Sequence, residues 1–226
     1  MAKQQNKKNR NKFVIYSTIG IVVLILVLIL VLNFSGNSSK QTTGSFKGNL
    51  TINGEAISPL PRSFDRDCIF HSVTLCQNFD SGSKSTIPEI HGVSISGKPF
   101  KIENDGRNKI ILFLAHWCPH CQTEVITFGS WIKSRGLPKD IDFYAIATAN
   151  NPSQQNYPPE TWLLNENWEI PTIKDTPSDN IAQLFGVTSF PFWALVDSEN
   201  RILTRLTGTF EMDEIDIILS KILESQ

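Results

Sequence analysis

Hydrophobic and polar positions divide the chain into unlike stretches. Residues 13 to 32, FVIYSTIGIVVLILVLILVL, run for twenty positions without a charge. A helix of that length is about 30 Å long, the thickness of a bilayer's hydrocarbon core. A transmembrane helix is therefore expected over residues 13–33. The next stretch, 34–45, turns to Ser, Asn, Thr and Gly without an apolar period and reads as a flexible tether. Residues 46–87 contain PLPRSFDRDCIFHSVTLCQNFDSGSKS, which has too few apolar positions to form a core of its own. They are expected to be an extension packed on the domain that follows.

From residue 88 onward the pattern becomes regular. HGVSISGKPFKI alternates around Gly97 like a hairpin. KIILFLAHW is continuously apolar and suits a strand buried on both faces. CPHCQTEVITFGSWIKSRGLP carries Val125, Phe128 and Ile132 at helical spacing and stops at Gly136 to Pro138. IDFYAIAT predicts a second buried strand, and PETWLLNENW and SDNIAQLFG predict short helices, the latter with Ser178 as its N-cap. FWALVD and RILTRLTG predict a strand pair, and MDEIDIILSKILES a closing amphipathic helix with Ile215, Ile218, Leu219 and Ile222 on one face. Strands alternating with helices imply an α/β fold with a central mixed sheet flanked by helices over residues 88–226.

Charge gives the first segment a direction. The net charge is -1, yet residues 1–12 hold five basic side chains and no acid, which leaves 16 basic and 22 acidic side chains beyond them. Basic flanks stay on the cytoplasmic side. The expectation is a cytoplasmic N-terminus at 1–12, an uncleaved anchor in the cell membrane, and an extracytoplasmic, mildly acidic remainder. A removed signal peptide is the alternative, but its apolar region is usually only about 7 to 15 residues. Without a basic run, nucleic acid is not an expected partner.

Export bears on the cysteines, which stand at 68, 76, 118 and 121. Thiols tend to pair outside the cytoplasm. The most local pairing joins Cys118 with Cys121 and Cys68 with Cys76, the second as a structural staple. Cys118 and Cys121 lie where a buried strand hands over to a helix. There, unpaired backbone N–H groups favour an anion, and the thiolate is the nucleophile in disulfide exchange. Cys121, three residues on, shares the same helix face. Pro119 is tolerated in the first turn, which has no N–H bond to lose. His120 can add a cationic N–H near the Cys118 sulfur.

FLAHWCPHC, followed much later by SFPFWALVD, resembles the thioredoxin superfamily. The resemblance spans residues 88–226. It implies a thioredoxin-like fold in which Cys118 attacks, Cys121 resolves, and Pro191 is a cis proline facing them. In relatives, backbone beside this proline pairs with an extended client peptide, so Phe190 and Pro191 are the implied substrate-binding residues. The anchor, the inserted TWLLNENWEIPTIKD and Glu124, three residues after the second cysteine, are similar to TlpA-like exported thioredoxins. Cys-Pro-His-Cys is instead like the DsbA-type oxidases, and the combined FLAHWCPHC resembles membrane-anchored thioredoxin-like proteins of actinobacteria. The buried acid of cytoplasmic thioredoxin is replaced here by Leu112, which passes any proton-handling role to Glu124.

Plainer readings stand beside these. Glu124 could be a solvated acid at a helix start, and His116 reads as a surface or strand-end residue. Trp117 is expected to cover the cysteine pair, and Trp131, Trp162, Trp168 and Trp193 to pack. Cys68, His71, Cys76 and His91 have little ligand spacing, so neither metal nor cofactor is expected. The function so implied is an extracytoplasmic thiol-disulfide oxidoreductase acting on thiols or disulfides of exported proteins and reset by a membrane or extracytoplasmic redox partner. His120 favours oxidation or general exchange over reduction. The alternatives are a TlpA-like reductant for cytochrome or metal-site assembly and a non-catalytic, client-binding thioredoxin-fold module.

Overall fold

The computed structural model describes residues 50–224. The expected N-terminus at 1–12, membrane helix at 13–33 and tether at 34–45 lie outside them. Among the described residues, no helix is long and apolar enough to cross a membrane. The described residues begin with β1 (Thr51–Asn53), then α1 (Cys68–His71) and α2 (Val73–Phe79). A hairpin follows, β2 (Glu89–Val93) and β3 (Pro99–Ile102). The main α/β run is β4 (Asn108–Leu114), α3 (Pro119–Arg135), β5 (Ile141–Ala147), α4 (Pro159–Asn165), β6 (Thr172–Lys174) and α5 (Asn180–Leu184). It closes with β7 (Phe192–Val196), β8 (Ile202–Thr207) and α6 (Met212–Glu224).

The central sheet has the order β6-β5-β4-β7-β8. β4 runs parallel to β5 and antiparallel to β7, so the sheet is mixed. All seven residues of β4 are buried, as its uninterrupted apolar run requires. Alternation then splits its side chains between two cores. Ile110, Leu112 and Leu114 join a cluster with Cys121, Phe128 and Ile218, from α3 and α6. Ile111 and Phe113 join another with Ile90, Phe100 and Ile181, from the hairpin and α5. One strand thereby ties both faces of the sandwich together.

The extension contributes to both cores. Its Ile52, Ile57 and Leu60 enter the hairpin-side cluster, while Cys68, Ile69 and Cys76 enter the cluster that holds Cys118 and Cys121. Cys68 and Cys76 are joined by a disulfide. That bond consumes two of the four residues weighed as metal ligands. β1 adds to the hairpin as a third antiparallel strand. Asp80, just beyond α2, is buried against the equally buried Arg205 of β8.

Ser178 is not the N-cap of α5. Asp179 holds that position in a left-handed conformation, and the helix start is satisfied from further upstream. The Asp175 carboxylate accepts from the Ile181 and Ala182 N–H groups at 2.9 and 3.0 Å. Thr176 Oγ1 accepts from Asn180 N–H. A buried carboxylate at the end of β6 thus does what an adjacent hydroxyl was expected to do.

Removing one partner of a buried ion pair leaves the other uncompensated, at about 3 to 5 kcal/mol. Opening a short disulfide loop costs about 2 to 3 kcal/mol in the chain-entropy account. Asp80→Ala should therefore destabilise the chain more than the paired Cys68→Ala and Cys76→Ala change, as ranked by urea unfolding midpoints at one pH.

Candidate active site

β4 ends at Leu114, and α3 begins at Pro119 with Cys118 in the N-cap position. Pro119 occupies the first helical turn, where a missing N–H breaks no bond. The junction is held by Cys118 N–H donating to the Ala115 carbonyl and Gln122 N–H donating to the Cys118 carbonyl. Both Cys118 and Cys121 are free thiols. Cys118 retains 7 % exposure whereas Cys121 is fully buried, so Cys118 is the more open of the two. Burial drives the Cys121 pKa up strongly, opposed by Ala115 N–H donating to its sulfur at 3.4 Å.

Across from the helix start, the Phe190-Pro191 peptide bond is cis. The Cys118 sulfur lies 3.8 Å from the Phe190 carbonyl oxygen, so this thiol and the proline segment are neighbours. Pro191 is buried and Phe190 half-buried. Trp117 sets its ring edge-on to Phe190 at 6.4 Å and donates from Nε1 to the Ala149 carbonyl at 2.7 Å. His120 is exposed and forms no hydrogen bond or ion pair among the described residues.

Glu124 is not a solvated acid. It sits on the buried stripe of α3, with Cys121, Val125, Phe128, Trp131 and Ile132. Its Oε2 accepts from Phe210 N–H at 3.0 Å, while Oε1 is buried without a partner. Desolvation pushes its pKa up to about 8, against smaller lowering effects of the Phe210 hydrogen bond and Arg66. At neutral pH this carboxyl therefore holds a proton, on the same helix face as the buried Cys121 thiol. Its charge in turn contributes to the raised Cys121 pKa.

His116 stands just beyond the end of β4, as the strand-end reading had it, but is fully buried rather than at the surface. Its Nδ1 faces the Gln155 carbonyl at 2.6 Å and its Nε2 accepts from Asn151 N–H at 3.1 Å. A carbonyl can only accept, so the proton is on Nδ1 and the ring is neutral. His116 thereby clamps the 150–158 loop beside Trp117. The sequence signal was present, since this histidine directly follows a buried strand and can act as donor and acceptor at once. Arg66 was not singled out at all, because its relation to Glu124 arises only when a distant segment folds over the helix. Trp131, Trp162 and Trp193 are buried and Trp168 is half-buried, consistent with packing.

The Redoxin family matches residues 82–218. The chain belongs to the Redoxin family. Among solved structures, this Redoxin is similar to a thiol:disulfide interchange protein of the thioredoxin family from Chlorobium tepidum TLS. They share 21% identity, with 62% of this chain and 97% of that one covered, at a TM-score of 0.51. StoA from Bacillus subtilis aligns at 18% identity, covering 56% of this chain and 92% of its own, with a TM-score of 0.49. A secreted Mycobacterium tuberculosis disulfide oxidoreductase homologous to E. coli DsbE aligns at 18% identity, covering 57% and 94%, with a TM-score of 0.47. At these identities the likeness is one of fold, the thioredoxin-like sandwich. No curated protein matches the chain. With paired thiols at the start of α3, this Redoxin is a thiol-disulfide oxidoreductase. Cys68 and Cys76 both precede the matched region, so the staple belongs to the extension.

The Glu124 carboxyl makes stability depend on pH. In the fold it keeps its proton up to about pH 8, whereas in the unfolded chain it ionises near its ordinary value of 4.5. Between those values the folded state binds the extra proton, so stability falls as pH rises, and the loss is complete above the window. Glu124→Gln, which can still accept from Phe210 N–H, should flatten this slope and be the more stable form above pH 8. Chemical denaturation of both proteins across the window measures it.

Proposed function

We propose that the chain is a membrane-anchored, extracytoplasmic thiol-disulfide oxidoreductase that works on exported proteins, with oxidation or general exchange favoured over reduction. The observation that carries this reading is the pairing of an accessible Cys118, beside the Phe190 carbonyl, with a buried Cys121 backed by a carboxyl that is protonated at neutral pH. The basic first twelve residues and the uncharged run after them support anchoring with this domain outside.

In the oxidising direction, a client thiolate attacks Cys118 Sγ of the Cys118–Cys121 disulfide. The bond between the two sulfurs breaks, and Cys121 departs as a thiolate. Glu124 neutralises it by giving up its proton, which favours departure because a buried thiolate is costly. The second client thiolate attacks the client sulfur of the mixed disulfide, so the client gains a disulfide and Cys118 is released. Two electrons have moved to the cysteine pair, and a membrane or extracytoplasmic redox partner removes them. In reverse, ionised Glu124 takes the Cys121 proton and the resulting thiolate attacks the mixed disulfide. The same two residues thus serve exchange in either direction.

A client strand would lie along the segment leading into cis-Pro191, which puts its sulfur next to Cys118. His120, exposed at the second position of α3 between the two cysteines, is assigned here to favour the reduced form of the pair. A more stable reduced form makes the disulfide the stronger oxidant. The resemblance to DsbA-type Cys-Pro-His-Cys oxidases supports this direction. The resemblance to TlpA-like proteins, with Glu124 at the matching place, supports the second reading, a reductant for cytochrome or metal-site assembly.

Cys118→Ser should abolish oxidative refolding of a reduced client by the full chain. Intact processing would make the protein a client-binding module rather than an enzyme. A reduction potential near that of thioredoxin, about -270 mV, would overturn the oxidising direction. His120→Val should make the disulfide harder to reduce, as measured by equilibration with glutathione, and an unchanged potential would remove His120 from the account.

A further inference from the structure

The active-site helix is covered at Glu124 by a turn, Gly208 to Phe210, in the four-residue connection from β8 to α6. Each end of the turn reaches a different part of the site. Gly208 N–H donates to the Pro191 carbonyl at 3.0 Å, and Phe210 N–H donates to Glu124 Oε2. The outer side of the turn is covered by Arg66. Its Nη1 donates to the Thr209 carbonyl, and its guanidinium carbon stands 4.4 Å over the Phe210 ring. Gly208, at φ +95°, permits the approach, since a Cβ there would fall 2.9 Å from Arg66 Nη1.

Arg66 belongs to the extension and lies outside the Redoxin match, which begins at residue 82. It is held by the staple. Cys68 Sγ lies 3.9 Å from the Arg66 carbonyl, and Cys68, Ile69 and Cys76 are buried in the same core as Cys121. We propose that Arg66 is a positioning residue for Glu124: it fixes the Gly208–Phe210 turn against the carboxyl and supplies the cation on that side. The proposal deepens the reading of Glu124 as the proton donor and acceptor for Cys121, and rests on it.

The charged groups around Glu124 come from three directions. Arg66 favours its carboxylate, whereas Glu211 and Glu214 oppose it from the start of α6. From its own helix face comes the Cys121 sulfur. Arg66 itself faces Glu214 Oε1 at 4.0 Å and Asp67 Oδ1 at 3.7 Å, so it stands between the acids of α6 and the turn. Its side chain is 31% exposed, and solvent screening limits its long-range effect. The direct contacts with the turn are therefore as important as the charge. Loss of Arg66 removes both, and both losses raise the pH at which Glu124 ionises.

The test titrates the Glu124 carboxyl by infrared spectroscopy in the full chain, with Glu124→Gln identifying the band. Arg66→Ala and Arg66→Gln should raise the midpoint by about half a pH unit or more, roughly a threefold change in the ratio of acid to carboxylate. Arg66→Lys should move it back toward the wild-type value. An unchanged midpoint in folded Arg66→Gln overturns the proposal. If Arg66→Ala does not fold, Arg66→Gln carries the test, because its stem and amide can still cover Phe210 and reach Thr209. Loss of folding in every variant would make Arg66 a folding residue and equally overturn it. The pH profile of disulfide exchange separates this from the underlying reading. A profile unchanged in Glu124→Gln refutes proton transfer by Glu124, whatever the infrared midpoints show. A profile that Arg66→Gln alters equally with and without Glu124 refutes the action of Arg66 through Glu124.

Discussion

The buried pair of Asp80 and Arg205 is the constraint on which the arrangement of the chain depends. Both side chains are fully buried. Charges removed from water are tolerated only when every donor and acceptor finds a partner. Here Arg205 Nε and its own N–H donate to Asp80, and Nη1 donates to the Ser58 and Phe185 carbonyls, both at 2.8 Å. Asp80 also accepts from Gly82 N–H. One guanidinium therefore joins the extension at two places, the end of α5 and the edge strand β8. Gly186 leaves room for it, since a Cβ there would lie 2.6 Å from Arg205 Nη1. A pair so desolvated adds little net stability over an apolar substitute, but it tolerates only one placement of the extension. That placement sets α1 against α6 and α2 against β8, next to the core that holds Cys118 and Cys121.

From this follows the second constraint, the burial of Glu124. A single carboxyl on the apolar stripe of α3 is costly as an anion, and the fold offers it only one backbone N–H. Its resting state at neutral pH is therefore the acid, a proton store within a core otherwise built of Phe128, Trp193 and Leu206. The difference in access between the two cysteines has the same origin. Cys118 is at the N-cap, where the helix emerges from the core, and Cys121 is one turn deeper. The more exposed and the more buried sulfur thus stand at opposite ends of one helical turn.

Much of this was legible in the sequence. The uninterrupted KIILFL run required a strand buried on both faces, and its alternation between two cores follows from the period of a strand. The Cys-Pro-His-Cys motif marked the start of α3 because a proline in the first turn and a cysteine before it are local features. Glu124 could be placed on the face of Cys121 by spacing, yet the same spacing fits a solvated acid. What decides between them is the closing segment Gly208 to Phe210, more than eighty residues away in the chain. His116 was misplaced for a related reason: its partners in the 150–158 loop are set by tertiary folding. The N-cap of α5 failed because a buried Asp175 outcompeted the nearer Ser178 for the helix N–H groups.

The extension contributes differently from an ordinary flank. Residues 46–87 were read as too poor in apolar side chains to fold alone, and their contribution to the two cores accords with that need for a host. The dependence runs in the other direction as well. A Redoxin domain bounded at residue 82 would lack Arg66, and the turn over Glu124 would then have solvent on its outer side in place of a guanidinium and a disulfide-fixed helix. Water on that side would weaken the Phe210 hydrogen bond by offering the turn other partners, and the favourable charge of Arg66 would be lost with it. Both losses work against the Glu124 carboxylate. A cation fixed by packing supports the anion without admitting water. The staple and the buried ion pair thus act on the same chemistry from a distance, by determining what covers the far side of one turn.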